Sequence, residues 1–171
     1  MTTTLARPTT PRFRLTTRAR KLWLLTHIVT AGLWLGADVV LGILVATALT
    51  TADPTTAATA YRALEMFAVT PLIVISVATF ATGAVLGWGT KYGLIRYWWV
   101  ATKLAMNTIL TVLIIFSLST TIRTAAAQAD TYATTGLPDT SSLLAPPIVS
   151  TTALLIATAL SVFKPWGRIK N

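Results

Sequence analysis

Three side chains occupy positions where ionisable groups are expensive. His27, Asp38 and Lys103 each fall inside a long apolar run. An ionisable group within bilayer hydrocarbon marks a functional site by default, because its desolvation must be offset by a partner or a task. His27 is the only histidine. Its neutral imidazole nitrogen suits axial ligation of a haem iron; the alternative is an interfacial ring bonded to a backbone carbonyl or a headgroup. Lys103 has Trp99 four residues before it and Asn107 four after it on one helix face. It can pair with a carboxylate such as a porphyrin propionate, or extend its stem to the interface. Asp38 reads either as a carboxylate near the outer headgroups, facing Arg62, or as a proton-relay group.

Helix rise brings two of the three to one level. His27 lies five residues past Leu22 and Lys103 six past Tyr97, which places both α-carbons about 8–9 Å inside the same boundary. Gly83, five residues before Trp88 on a run of opposite direction, reaches that level too. Trp34 and Asp38, seven and eleven residues after His27, share its helix face. The candidate cofactor site is therefore His27, Lys103, Trp34 and Gly83, with His27 as the one candidate metal ligand. No catalytic residue is assigned. A copper site has no ligand set, since the chain has one histidine, no cysteine and only Met1, Met66 and Met106. Hydrolytic and nucleotide-binding motifs are absent as well.

The elements that must hold these residues follow from composition. The chain has 171 residues, of which 54% are hydrophobic and 11% charged; a soluble domain carries about 25% charged residues. Mean hydropathy is +0.68. There is too little polar surface to cover a globule of this size in water. Four runs, at about 22–49, 61–88, 97–118 and 143–163, approach or exceed the roughly 20 apolar residues that span a 30 Å core, and the third can continue as helix toward Ala129. The first is too long for a signal peptide and reads as a retained span. The predicted fold is all-α, a polytopic transmembrane four-helix bundle, because backbone polar groups in lipid must be paired internally. Residues 1–20 read as a disordered basic cytoplasmic arm and 21–171 as the four-span domain. Links near 50–59 and 131–142 are short and Thr-rich, and Asp139-Thr140-Ser141-Ser142 offers N-caps for the fourth span.

Charge gives orientation. Arg7, Arg12, Arg14, Arg18, Arg20, Lys21, Lys91, Arg96, Lys164, Arg168 and Lys170 fall on one side with no acid. Arg62 and Arg123 fall on the other, with Asp53, Glu65, Asp130 and Asp139. The positive-inside rule then makes both termini cytoplasmic. A net charge of +9 without any nucleic-acid motif is explained by topology, so the expected partner is the lipid bilayer and not nucleic acid. Gly32–Gly36 and Gly83–Gly87 have the GxxxG spacing that lets membrane helices approach closely, within the chain, in a homo-oligomer or against a membrane partner.

Several stretches carry a resemblance. They are Lys21-Leu22-Trp23-Leu24-Leu25-Thr26-His27 with Trp34-Leu35-Gly36, the link from Gly89 to Val100 with Lys103-Leu104, and the closing Phe163-Lys164-Pro165-Trp166-Gly167-Arg168. Over residues 20–169 the chain resembles a group of small, uncharacterised bacterial four-span integral membrane proteins. More loosely it is similar to the copper-resistance protein D family and the J-type membrane protoporphyrinogen oxidases. They share an early-span histidine followed by Trp-x-Gly, and a lysine near the start of a later span. The oxidase resemblance implies haem b and electron transfer, carried onto His27 and Lys103. A single histidine departs from bis-histidine ligation within one subunit.

Three functions stay open on these residues. The protein is a multi-pass membrane protein of the bacterial cytoplasmic (inner) membrane that binds haem b for redox chemistry, or a non-catalytic membrane subunit or assembly partner of a larger complex, or a small transporter or proton conductor.

Overall fold

A computed structural model describes residues 14–90, 93–131 and 141–165, with 167 and 169. The first helix, α1 (Thr17–Thr50), is 34 residues long, about 51 Å at 1.5 Å per residue. Thr16 caps it by accepting from the Ala19 N–H at 3.3 Å. Its start at Thr17 makes the last residues of the expected 1–20 arm helical; residues 1–13 lie outside the described ones.

The second span starts earlier than its apolar pattern indicates. Asp53 caps α2 (Pro54–Ala68), accepting from the N–H groups of Thr55 and Thr56 at 3.1 and 3.0 Å. Pro54 fits the first turn, where its missing N–H leaves nothing unpaired. The stretch expected as a link at 50–59 is therefore mostly helix. Next comes α3 (Thr70–Trp88), which continues α2 across a break at Val69. Pro71 explains the break: it has no N–H to offer the carbonyl one turn back, and its ring crowds that turn.

The third span joins α4 (Trp98–Leu113), one π-helical turn (Ile114–Leu118) and α5 (Ser119–Ala127). In that turn the Ser119 N–H reaches back five residues to the Ile114 carbonyl. After a 3-10 turn at Ser141–Leu144, α6 (Ala145–Phe163) completes the bundle. Its first turn holds Pro146 and Pro147, and its N-cap residue Leu144 makes no side-chain cap; Asp139 and Thr140 lie outside the described residues.

The described residues contain four helical stretches long and apolar enough to cross a membrane, at Thr17–Thr50, Pro54–Trp88, Trp98–Ala127 and Ser141–Phe163. Large apolar side chains such as Ile43, Phe116 and Val162 stand 61–73% exposed, an arrangement suited to lipid and not to water. The core runs between α1, α2, α3 and α5 through Trp34, Leu41, Val45, Tyr61, Leu64 and Ile122. Both ends of the described chain reach the α3–α4 link: the Leu15 N–H donates to the Gly89 carbonyl at 3.1 Å and the Ile169 N–H to the Arg96 carbonyl at 2.9 Å. At Gly89 a side chain would run into Leu15. The two ends therefore lie at the same end of the bundle.

Candidate functional site

At the lower level, α1 and α3 bring His27 against Thr82 and Gly83. The imidazole Nδ1 lies 2.9 Å from the Thr82 Oγ1. The Thr82 hydroxyl proton has its own acceptors, the Ala78 carbonyl at 2.8 Å and the Thr79 carbonyl at 3.1 Å. Nδ1 must then donate to Oγ1, which leaves the lone pair on Nε2. This tautomer is inferred from the bonding pattern. Gly83 makes room for the ring: a Cβ there would stand 3.1 Å from the His27 Cε1. The depth argument thus finds the right pair, but the space Gly83 leaves is filled by His27 itself.

Lys103 turns to α6. Its Nζ donates to the Ser161 Oγ at 2.8 Å and stands 4.6 Å from the centre of the Trp99 ring, where a cation meets the negative face of the indole. Its charge is near enough for its field to reach His27, so the two groups share a neighbourhood without a direct bond.

A haem fits this arrangement in one respect only. Nδ1–H held by a neighbour with Nε2 open is the state in which histidines ligate metals. Against that, neither hollow described below touches His27 or Lys103. The Lys103 ammonium is engaged by Ser161, and no group of three His, Cys, Asp or Glu side chains forms among the described residues.

The upper level is different in kind. Trp34 is fully buried and Asp38 is 3% exposed. Arg62 is exposed on α2 and lines neither hollow, while Asp38 is turned toward α6. There the carboxylate faces Ser150 and Thr151. Its Oδ2, the Ser150 Oγ and the Trp34 Nε1 have no hydrogen-bond partner among the described residues. Two hollows meet at Asp38. One, of about 300 Å³, lies between α1, α3, the α4–α5 span and α6. The other, of about 390 Å³, lies along α1 and α6 beside Gly42, Pro147 and Thr151. The π-helical turn forms part of the first wall through Ile114, Ser117 and Leu118, and such turns often sit at functional sites.

A run of hydroxyls on α3 rises from the His27 level part of the way toward Asp38. Ser76, Thr79 and Thr82 are all buried on α3, spaced by three residues, and span about 9 Å. Ser76 donates to the Ile73 carbonyl at 2.9 Å and Thr79 to the Ile75 carbonyl at 2.8 Å. The sequence reading singled out none of Ser76, Thr79, Thr82 or Ser150, although the three-residue spacing within an apolar run was a usable signal. The glycine pairs do less than expected. Nothing lies within 4 Å of a Cβ at Gly32 or Gly36, so that pair joins no two of the described helices.

Fold and site together define a helical bundle of membrane-spanning proportions with polar groups at two depths. No protein-family model, curated protein or solved structure matches the chain.

Proposed function

We propose that the protein is a small proton-handling transporter or conductor of the bacterial cytoplasmic membrane, with both termini in the cytoplasm and Asp38 as the group that takes up and releases the proton. The carrying observation is a buried carboxylate with an unpartnered oxygen that opens on a cavity. A carboxylate kept only for structure would have its lone pairs filled, since an unpaired buried acceptor is destabilising. Chains of acidic, hydroxyl and imidazole groups are what intramembrane proton relays are made of; Ser76, Thr79 and Thr82 are buried on α3, and Thr82 meets His27. Proton flux into liposomes loaded with a pH-sensitive dye tests this. Wild type is expected to dissipate an imposed gradient and Asp38→Asn to lose that flux; equal flux in both refutes the role of Asp38.

A second reading, haem b at His27, is favoured by the Nδ1-donating tautomer. A Soret band in the purified protein that vanishes in His27→Ala supports it, and its absence after haem supplementation removes it.

A further inference from the structure

The chamber beside Asp38 is mostly aliphatic. Leu41, Leu72, Leu110, Ile114, Leu143 and Val149 supply much of the wall of the 300 Å³ cavity. Among the described residues, Asp38 is the one ionisable residue lining either hollow, whether from α1, α3, the α4–α5 span or α6. A proton alone has no use for such a volume. Calcium takes six to eight oxygen ligands and magnesium an octahedron of them, whereas one carboxylate with scattered hydroxyls stands here. Apolar walls around a single negative group match a monovalent cation whose charge is carried on a carbon body. The volume lies at the lower end of the range for small-molecule sites.

The cavity also has a side opening. Leu113 and Val149, 49% and 53% exposed, line it together with the exposed Ser117 and Thr121. These residues face outward between the third span and α6.

We propose that this cavity binds a lipophilic organic monocation, an aryl- or alkylammonium, with the Asp38 carboxylate as counter-ion. The proposal deepens the reading of Asp38 as the proton site. Cation and proton hold the carboxylate in turn: the protonated acid releases its proton to water as the ammonium docks, and charge balances without a further reactant. Higher pH therefore favours docking.

Benzyltrimethylammonium is the probe, titrated calorimetrically into the full chain in detergent at two pH values. One saturable site is expected, tighter at the higher pH. Asp38→Asn should weaken it roughly tenfold or more, and Asp38→Glu should retain it. Neopentylbenzene, the neutral isostere, should show no pH-dependent binding. Ser117→Trp, at the exposed mouth, should also weaken the cation while leaving the fold and the Asp38 carboxylate in place. Absence of saturable binding to wild type overturns the proposal, as does equal binding to Asp38→Asn. Proton flux measured on the same proteins separates the two readings. Asp38-dependent flux without cation binding removes the organic cation alone. Asp38-dependent binding with unchanged flux removes the proton conductor and leaves the cation site supported.

Discussion

Asp38→Leu separates a carboxylate kept for function from one kept for structure. In detergent, a helix released from the bundle lets Asp38 reach water at the micelle surface. In the folded protein its Oδ2 has no partner among the described residues. An unmet buried acceptor costs about 1–3 kcal/mol, and leucine removes that cost. The larger side chain has somewhere to go, because Asp38 borders a cavity of about 300 Å³, so the overpacking penalty of about 1–3 kcal/mol is avoided. Asp38→Leu is therefore expected to raise stability by about 1–3 kcal/mol while abolishing proton flux. Unfolding by sodium dodecyl sulfate, followed by tryptophan fluorescence and circular dichroism, measures the first effect; the liposome assay measures the second. A loss of more than about 1 kcal/mol refutes the reasoning, since removing one member of a buried pair destabilises by about 3–5 kcal/mol. Such a loss would mean that the Ser150 and Thr151 hydroxyls, which face the carboxylate, satisfy it.

Gly83→Ala should destabilise by about 1–3 kcal/mol, because its Cβ meets the His27 ring at 3.1 Å and the imidazole must give up Thr82. In a His27→Ala background the same change should turn neutral or stabilising by about 0.5–1 kcal/mol, the helix preference of alanine over glycine; a double-mutant cycle by chemical unfolding reads the sign change. Asp53 is held below the usual carboxylate range first by the Thr56 hydroxyl, 2.6 Å away, and then by the N–H groups of Thr55 and Thr56. A depressed folded value stabilises above the unfolded one, and this contribution disappears as pH falls through the folded value. Wild type should thus lose more stability than Asp53→Asn on acidification, which an acid titration of the unfolding midpoint checks. Cysteine is absent from the chain, so single replacements at the exposed Thr17 and Thr59 report topology. A membrane-impermeant thiol reagent applied to whole cells is expected to label Thr59→Cys and spare Thr17→Cys.

The bundle was legible because the bilayer allows few solutions. Four apolar runs with short links force antiparallel helices, and counting 1.5 Å per residue placed His27 and Gly83 at one level. Counting gives height but not rotation about the helix axis. That is why Lys103 meets Ser161 of α6 and Asp38 faces Ser150, neither partner being readable from depth. The start of α2 was hidden by composition: a Thr-rich stretch resembles a link, yet Asp53-Pro54 is a capped helix start, and Thr59 satisfies its hydroxyl on the Thr55 carbonyl at 2.8 Å. The π-helical turn at Ile114–Leu118 has no residue signature in this chain.

The two depths differ in whether their hydrogen bonds close. Below, the His27 donor has the Thr82 oxygen, the Thr82 proton has a carbonyl, and the Lys103 ammonium has Ser161 and an indole face. Such a level contributes to stability and loses by change. Above, a carboxylate oxygen, a serine hydroxyl and an indole N–H are all buried and unmatched among the described residues, two of them one turn apart on α1. Selection against destabilising residues would replace these groups with aliphatic ones unless something passes through or docks there, because the same helix tolerates leucine and valine on either side. Residues that weaken a fold without repacking it mark where activity is carried. On that ground the half of α1 that carries Asp38, rather than the histidine that first draws notice, is where function is to be sought.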